Sequence, residues 1–261
     1  MLKTKTAIIL CGGKGTRLGV LGKKIPKTLI KIQGKEILWY IINILKIHGF
    51  NNFIIPLGYK GNQVKKFFKK NNNFGSKVNL INTGINTNIG KRIYMVNNYI
   101  KTKDVLLLNG DAIFDFNLTK ILNNHVKNKI GITFISGEIT YQYGTVGVKN
   151  GKVVDFRRNI LYESLLTRKS RNYIAFNYAG ISLINSRLLN KYKNIYKKCE
   201  NFEQKIFPKL INNGKSNFVK ISGFWHSVDN MKDIKAINEK KIDFKKFMGI
   251  KKVKKKILNY K

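Results

Sequence analysis

The first 135 residues alternate short apolar runs with longer segments of helical periodicity, and this alternation constrains the fold more than any other feature of the sequence. Apolar runs that are buried on both faces and separated by helices are typical of a parallel sheet covered on both sides. The predicted strands are 7–10, 53–57, 78–82, 105–109 and 130–135, and the predicted helices are 37–48, 63–70, 91–100 and 118–127. We therefore expect an α/β fold with a Rossmann-like, doubly wound sheet, in which ligands bind beyond the carboxyl ends of the strands.

The alternation of apolar runs with helical segments ends after Gly144. Two short runs, 145–148 and 153–156, flank Asn150-Gly151, which is the strongest short-range signal for a tight hairpin. The sheet is therefore expected to be mixed, with a small antiparallel portion in the second half. Further strands are predicted at 178–184 and 218–221, further helices at 202–213 and 231–240, and a loop or lid at 158–172.

Length and cysteine content narrow the class of protein. At 261 residues and 43% hydrophobic content, the chain is long enough for one large domain but not for two full ones. Its two cysteines, Cys11 and Cys199, offer neither a disulfide framework nor a zinc-ligand spacing. The apolar run 7–10 is too short for a signal-peptide core, and no stretch approaches the roughly 20 apolar residues of a membrane-spanning helix. We therefore expect a cytoplasmic protein without a membrane span.

A formal net charge of +38 suggests nucleic-acid binding, but the kind of basic residue argues against it. Of the 51 basic residues 44 are Lys, and Asn and Ile are also abundant, as an AT-rich coding sequence would impose. A nucleic-acid surface is expected to use more Arg, whose planar group bonds phosphates and bases in two places. We therefore predict no specific nucleic-acid partner. The alternative, a basic protein that acts at nucleic acid or an anionic membrane through its C-terminal tail, rests on charge alone.

A glycine-rich loop directly after the first predicted strand carries the strongest local signal. It reads Leu10-Cys11-Gly12-Gly13-Lys14-Gly15-Thr16-Arg17-Leu18, and Pro26-Lys27 follows shortly afterwards. Three glycines allow backbone amides to surround a phosphate, Arg17 adds a planar phosphate-binding group, and Lys27 adds a point charge. The loop has neither the ending of the P-loop nor the glycine spacing of the Rossmann motif. It therefore predicts a phosphate site of a different type.

These residues resemble the signature of the sugar-1-phosphate nucleotidyltransferases, which is Gly-Gly-x-Gly-Thr-Arg-Leu followed by Pro-Lys. The resemblance extends along most of the chain, through Gly34-Lys35, Gly58-Tyr59-Lys60-Gly61, Gly110-Asp111, Phe202-Glu203 and Trp225-His226-Ser227-Val228-Asp229. Asn82-Thr83-Gly84, Thr87, Gly90 and Arg92 are most similar to the glucose-1-phosphate cytidylyltransferases. The resemblance implies the nucleotide-diphospho-sugar transferase fold in a single domain, 1–240. This domain would have a nucleotide-binding half, 1–135, and a sugar-binding half, 136–240, before a basic tail, 241–261.

The implied reaction joins a sugar 1-phosphate to a nucleoside triphosphate and releases pyrophosphate, with CDP-glucose as the expected product. Small molecules are then the expected partners, Mg²⁺ is the expected cofactor, and a homo-oligomer stays open. Thymidylyl, guanylyl or uridylyl transfer to glucose, mannose or heptose 1-phosphate is an alternative, because Asn82 stands where the resemblance expects Asp. A catalytically silent binding subunit on the same fold is an alternative of another class.

The resemblance also assigns roles to individual residues. Arg17 and Lys27 are the expected catalytic residues. The nucleotide is expected to contact Leu10, Gly12, Gly13, Gly15, Thr16, Arg17, Lys27, Thr83, Gly84, Gly90 and Asp111. The sugar is expected to contact Asn177, Glu203 and Arg158. Arg158-Asn159 stands where a Glu-Lys pair is usual in the family, so Arg158, Arg168 and Lys169 are the alternatives for the role of the missing Lys.

Two carboxylates, Asp111 and Asp229, are expected to hold the metal ion. Asp111 follows an apolar strand, so its carboxylate would lie at the carboxyl edge of the sheet, where Mg²⁺ can bind it together with phosphates and water. Each has a structural alternative as a helix N-cap. Asp115 is interpreted only in that second way, as a helix-entry residue.

The remaining reactive residues are interpreted as structural. The three His residues are scattered and His125 is expected on a helix surface, so they predict neither a catalytic triad nor a metal cluster. Trp39 and Tyr40 lie in a predicted helix and are expected in the core. Cys11 is interpreted as a small residue that fills the glycine loop, since no partner base for a nucleophile is evident.

Overall fold

A computed structural model of the chain describes residues 5–137, 140–141, 145–150, 152–157, 160–161 and 176–239. The strands in this part of the chain are β1 (Thr6–Leu10), β2 (Lys31–Ile32), β3 (Lys35–Glu36), β4 (Asn52–Leu57), β5 (Lys77–Asn82), β6 (Asp104–Asn109), β7 (Ala112–Asp115), β8 (Ile132–Gly137), β9 (Thr140–Tyr141), β10 (Thr145–Lys149), β11 (Lys152–Arg157), β12 (Ile160–Leu161), β13 (Asn177–Asn185), β14 (Ser216–Lys220) and β15 (Phe224–Ser227). The helices are α1 (Gly19–Lys24), α2 (Ile37–Ile47), α3 (Gly61–Lys70), α4 (Ile89–Val96), α5 (Leu118–Lys127), α6 (Ser186–Lys191), α7 (Lys193–Tyr196), α8 (Phe202–Asn212) and α9 (Met231–Glu239). Short 3₁₀ turns lie at Thr16–Leu18, Lys27–Leu29, Asn72–Gly75 and Asn97–Tyr99.

A seven-stranded mixed sheet forms the centre of the protein, in the order β14-β8-β13-β6-β1-β4-β5. The strands from β6 to β5 are parallel, and so are β14 and β8, whereas β13 runs antiparallel to both of its neighbours. Short crossover helices separate the parallel strands because such a connection needs a dozen or more residues. The predicted α/β fold with a mixed, doubly wound sheet is therefore confirmed.

Apolar side chains cover both faces of this sheet, as the runs in the sequence predicted. Ala7 and Ile9 of β1 belong to one hydrophobic cluster, with α2 and α3, and Ile8 belongs to the other, with α4 and α8. Successive side chains of a strand point to opposite faces, so a strand between two helical layers needs apolar residues at every position. Strands β1, β4 and β6 are parallel neighbours, so their carboxyl ends meet at one exposed edge of the sheet.

A small two-stranded sheet lies at that edge and was not predicted from the sequence. Strand β7 follows β6 after a two-residue turn and pairs antiparallel with β15, from Ala112 opposite Ser227 to Asp115 opposite Phe224. Gly223 permits the approach of the two chains, because a Cβ atom there would lie 2.0 Å from the carbonyl oxygen of Asp115. This pairing brings the end of the described chain back to the turn after β6.

Several local predictions are corrected by the structure. The helix expected at 91–100 ends at Val96 and continues only as a 3₁₀ turn, while the helices α6 and α7 were not predicted. Asp115 is not a helix-entry residue, because it ends β7 and Asn117 caps α5 by accepting from the Lys120 amide. His125 is not on a helix surface, since it is only 1% exposed. Its α5 face is the one that packs on the sheet.

The predicted hairpin is confirmed, with β10 and β11 antiparallel on either side of Asn150. The loop predicted at 158–172 lies almost entirely outside the described residues, and so does the basic tail. In the part of the chain that the structure describes, no helix is both long enough and apolar enough to cross a membrane.

Candidate active site

Three charged side chains from distant parts of the chain meet at the carboxyl edge of the sheet. The Lys27 ammonium donates to Asp111 Oδ2 at 2.7 Å and to Asp229 Oδ1 at 2.8 Å. The Arg17 guanidinium lies 4.0 Å from the same Asp229 oxygen and is largely exposed. These residues, Arg17, Lys27, Asp111 and Asp229, are called the charged cluster below. The structure thus brings together both predicted catalytic residues and both predicted metal ligands.

The backbone around β6 and β15 places the two carboxylates side by side. Gly110 donates its amide to the Leu10 carbonyl, which ties the turn after β6 to the end of β1. The Val228 amide donates to the Asp111 carbonyl at 2.9 Å, so the residue after it, Asp229, emerges beside Asp111. Asp229 is therefore held by the pairing of β15 with β7.

The helix after Asp229 has its own cap, so the alternative reading of Asp229 as an N-cap is not supported. Asn230 Oδ1 accepts from the Lys232 and Asp233 amides, and Asp233 Oδ2 accepts from the amides of Asp229 and Asn230. This reciprocal arrangement is a capping box. It leaves the Asp229 carboxylate to the charged cluster.

Lys27 reaches the carboxylates because its segment packs tightly on the turn after β6. It opens the 3₁₀ turn Lys27–Leu29, and a Cβ atom on Gly110 would lie 2.7 Å from Thr28 Cγ2. Burial lowers the pKa of Lys27, but Asp111 and Asp229 raise it more, so the net pKa lies above its ordinary value. Burial raises the pKa of Asp229, and the Lys27 and Arg17 charges outweigh that effect and leave it below its usual range. Lys27 therefore stays charged at neutral pH.

The glycine loop lies next to the charged cluster and opens to solvent. Gly13, Lys14, Thr16 and Arg17 are exposed, and Gly15 has a φ of 60° that favours glycine. A Cβ atom on Gly15 would lie 3.5 Å from Lys27 Cβ, which shows how closely the loop approaches Lys27. Among the described residues, no acceptor is paired with the amides of Gly13, Lys14 and Gly15. These amides are therefore available to an anion.

The donor set of the charged cluster fits Mg²⁺. Two carboxylates meet there, with 28% and 42% of their side-chain surfaces exposed, and the described residues contain no group of three or more acidic, His or Cys side chains that could hold a metal. Mg²⁺ is usually bound by one or two carboxylates and completes its shell with phosphate oxygens and water. These residues are therefore consistent with a Mg²⁺ site that is completed by phosphate oxygens of the substrate.

The loop after β5, where the base is expected, is held by side-chain hydrogen bonds and by the carbonyl of Leu57 at the end of β4. Thr83 is buried and its hydroxyl donates to the Leu57 carbonyl at 2.7 Å, whereas Gly84 is exposed and its amide donates to Asn82 Oδ1. Gly90 is buried in α4, where a Cβ atom would lie 2.3 Å from the Tyr196 carbonyl oxygen. Gly84 thus lies at the surface, while the structure gives Thr83 and Gly90 packing roles.

The residues predicted to contact the sugar are less closely grouped. Asn177 begins β13 and pairs with Gly137. The next residue, Tyr178, points to the other face of the strand, where burial raises its pKa and the nearby Glu203 carboxylate adds to the rise. Glu203 lies on α8, which packs against Tyr178 through Phe207, and burial raises the pKa of Glu203 also. Arg158 lies outside the described residues.

Cys11 has the structural role that the sequence suggested. It is 2% exposed, and burial raises the pKa of its thiol to about 12. A thiol with that pKa is protonated at neutral pH and is a poor nucleophile.

Arg92 is the residue near the site whose role sequence reasoning missed. It is 5% exposed and its guanidinium bonds Leu57, Thr83, Ile85 and Gly12. The spacing of apolar residues could have predicted that Arg92 is buried, because Arg92 lies on the same face of α4 as Ile93 and Val96.

Two cavities of the described structure lie away from the charged cluster. One, of about 510 Å³, has mostly apolar walls between α1, α3 and α9, and the other, of about 320 Å³, lies beside His125 at the amino ends of the strands. Neither is lined by Lys27, Asp111 or Asp229. The chemistry of phosphate binding favours the open edge of the sheet over both cavities.

The chain matches known proteins along most of its length. The sequence model of the family described as "Nucleotidyl transferase" matches residues 6–243. A probable glucose-1-phosphate cytidylyltransferase of Bacillus subtilis is 28% identical over 256 residues, covering 89% of this chain and 94% of that protein. The glucose-1-phosphate cytidylyltransferase of Salmonella typhimurium is 25% identical, covering 87% and 92%.

Solved structures agree with the fold. A putative glucose-1-phosphate thymidylyltransferase from Bacillus anthracis superposes with a TM-score of 0.69 at 17% identity, covering 90% of this chain and 94% of the other. HddC from Yersinia pseudotuberculosis in complex with GMP-PN superposes with a TM-score of 0.66 at 21% identity, covering 91% and 99%. At these identities the likeness shows the nucleotide-diphospho-sugar transferase fold alone. The family match and the two relatives confirm the predicted resemblance. The chain belongs to the nucleotidyl transferase family as a sugar-1-phosphate nucleotidyltransferase.

Proposed function

We propose that this protein makes CDP-glucose from CTP and glucose 1-phosphate, with release of pyrophosphate and with Mg²⁺ as cofactor. The observation that carries the proposal is the Lys27 ammonium between Asp111 and Asp229, next to a loop in which the amides of Gly13, Lys14 and Gly15 have no acceptor among the described residues. Such an arrangement suits the joining of two polyanions, because it supplies positive charge, free amides and a carboxylate pair for a divalent cation.

The reaction is a displacement at the α-phosphorus of the nucleotide. A phosphate oxygen of the sugar 1-phosphate attacks in line, the new P–O bond forms, and the bond to the β-phosphate breaks, with its electron pair leaving on pyrophosphate. The nucleophile is already an anion, so no general base is needed. Catalysis therefore comes from positioning and charge neutralisation.

Lys27 is suited to hold the α-phosphate. An ammonium group has three N–H donors, and two of them point at Asp111 and Asp229. The third can donate to an α-phosphate oxygen while the carboxylates keep the side chain in place. Arg17, which is exposed beside Asp229, would bond the outer phosphates with its planar group.

Mg²⁺ completes the charge balance of the site. The charged cluster contains two cationic and two anionic side chains, so by itself it is neutral and cannot offset a triphosphate. Asp111 and Asp229 would hold the ion, which when bound neutralises phosphate charge and stabilises the departing pyrophosphate. Retention of all four side chains together also argues against a catalytically silent subunit.

The choice of cytidine and glucose is supported by the two similar proteins named above, a probable and an assigned glucose-1-phosphate cytidylyltransferase. Gly84 is exposed, so its carbonyl can accept from a pyrimidine base. Asn82, whose side chain accepts from the Gly84 amide, shapes this turn.

The test is pyrophosphate release from each of CTP, dTTP, GTP and UTP with glucose 1-phosphate, with and without Mg²⁺. We expect the largest kcat/KM with CTP and no turnover without a divalent cation. Mannose 1-phosphate serves as the control acceptor and should react more slowly. Turnover with another nucleotide in preference to CTP would reject the cytidylyl assignment, and no release with any pair would reject the transferase.

A further inference from the structure

The guanidinium of Arg92 joins three separate loops beneath the candidate active site. Its Nη2 atom donates to the carbonyl oxygens of Gly12 at 3.1 Å and Ile85 at 3.3 Å, and its Nη1 atom donates to Thr83 Oγ1 at 2.6 Å and to the Leu57 carbonyl at 3.2 Å. One buried side chain therefore ties the glycine loop to the end of β4 and to the loop where the base is expected.

The backbone around Arg92 is built to admit it. A Cβ atom on Gly12 would lie 2.3 Å from Nη1, and one on Gly58 would lie 2.6 Å from the same atom. Both contacts are far shorter than a real Cβ atom allows. The glycines at 12 and 58 therefore make room for the guanidinium, in addition to any contact with a ligand.

The bond to Gly12 decides which way the next amide points. The Gly12 carbonyl accepts from Arg92 and also from the Tyr59 amide at 3.2 Å, so this oxygen is directed into the protein. In a planar trans peptide the carbonyl and the following N–H point in opposite directions. The Gly13 N–H is consequently directed away from Arg92, and Gly13 is exposed.

We infer that Arg92 is a positioning residue for nucleotide binding, which fixes the Gly12–Gly13 peptide so that the Gly13 amide donates to a phosphate of the nucleotide. The inference rests on the proposed function. Among the described residues, no carboxylate pairs with Arg92, so its buried positive charge also lies behind the loop without a counter-charge from the protein. Phosphates on the other side of the loop would supply that counter-charge.

The first experiment compares nucleotide affinity in the wild type, Arg92→Met and Arg92→Lys by titration calorimetry with CTP and Mg²⁺, without sugar phosphate. Arg92→Met should weaken CTP binding by about tenfold or more, the range expected for losing one hydrogen bond to a charged group. Arg92→Lys keeps the charge but cannot reach both Gly12 and Thr83, so its affinity should be intermediate. The KM for glucose 1-phosphate should not change in either variant.

A second readout separates positioning from a loss of stability. In protein labelled with ¹⁵N-glycine and saturated with CTP, the Gly13 amide resonance should shift strongly in the wild type and clearly less in Arg92→Lys. Gly13→Ala identifies the resonance, because a Cβ atom at Gly13 meets nothing within 4 Å. Asn52→Ala is the matched control, since Asn52 is buried at the far end of β4 and bonds Thr6 there.

The outcomes are distinguishable. Asn52→Ala should lower the free energy of unfolding while CTP affinity and the Gly13 shift stay as in the wild type. If the folded Arg92 variants bind CTP as tightly as the wild type, or if the Gly13 resonance shifts as far in them as in the wild type, the inference is overturned and the proposed function stands. If the wild type binds none of the four nucleotides, the proposed function fails and the inference with it.

Discussion

Two groups of ionisable side chains lie at opposite ends of the central sheet, and they differ in how far they are exposed to solvent. At the carboxyl ends of the strands, Lys27 contacts two partly exposed carboxylates. At the amino ends, His125 is fully enclosed, with Nδ1 2.8 Å from Thr133 Oγ1 and Nε2 3.5 Å from Asp104 Oδ1. Asn185 donates to the same Asp104 oxygen.

This difference distinguishes ionisable groups that stabilise the fold from ionisable groups that are available to bind a ligand. The His125 ring is enclosed by protein, with Nδ1 bonded to Thr133 and Nε2 at an ion-pair distance from Asp104 but without a hydrogen-bond partner, so removing the ring takes a buried contact from both residues and costs stability. The charged cluster at the other end has partners but also solvent access and a neighbouring loop of free amides, so its members can exchange contacts with a substrate. Mutations in the two groups should therefore separate activity from stability.

The largest expected effect is on turnover in Lys27→Ala. Loss of the cation at the α-phosphate should lower kcat by about 100-fold, as for removal of one preorganised electrostatic group, and should leave the fold intact. Steady-state pyrophosphate release measures the rate. Lys23→Ala, on the exposed surface of α1, is the control and should have wild-type kcat. A Lys27→Ala enzyme with near-normal kcat would remove Lys27 from the mechanism.

The next largest effect is on stability in His125→Ala. Asp104 and Thr133 lose a buried partner, so the free energy of unfolding should fall by about 2 kcal/mol. Urea denaturation followed by tryptophan fluorescence measures it. Below the transition kcat should equal that of the wild type, and a loss of activity in the folded variant would show that the two ends of the sheet are coupled.

A smaller, pH-dependent effect is expected in Asp104→Asn. Burial raises the pKa of Asp104, but the nearby His125 ring and the hydrogen bond from Asn185 lower it more, so its net pKa in the folded protein lies below the ordinary value. A carboxyl group of this kind stabilises the fold above its unfolded pKa, and the contribution is lost as pH falls through the folded pKa. The variant should be less stable than the wild type by about 1 kcal/mol at pH 7, and the difference should shrink toward zero in acid. Unfolding curves between pH 7 and pH 2 measure it, and a difference that grows in acid would contradict the assignment.

The smallest effect on stability is expected in Arg17→Ala. The Arg17 side chain is 80% exposed and 4.0 Å from Asp229, so its loss should leave the unfolding curve unchanged. Arg17 is proposed to bond the outer phosphates of the nucleotide, so the KM for the nucleotide should rise about fivefold in the variant. If Arg17→Ala instead changed stability and left KM as it was, the residue would belong to the structural group.

Local patterns were enough to predict most of the architecture. The strands β1, β4, β5, β6 and β8 and the helices α2, α3 and α5 were predicted to within a few residues, because apolar periodicity is a property of neighbouring residues. The error at His125 had a local cause too. His125 repeats the spacing of Leu118 and Ile121, which are also buried, and its polar ring concealed that it continues their face.

The order of strands could not be predicted in the same way. Strand β13 is inserted antiparallel between β6 and β8, and the pairing of β7 with β15 joins segments far apart in the chain. Such pairings depend on contacts between distant segments, which no window of sequence contains.

By itself, the sequence determined the α/β class, the glycine loop after the first strand and the residue types suited to phosphate and metal, since each is a property of short segments. The tertiary structure alone decided that Lys27 contacts Asp229, 202 residues away, and that Arg92 lies beneath Gly12. The physical reason is that an ion pair or a buried hydrogen bond needs atoms within about 3–4 Å, and the folding of the sheet, rather than the spacing of residues along the chain, brings them to that distance.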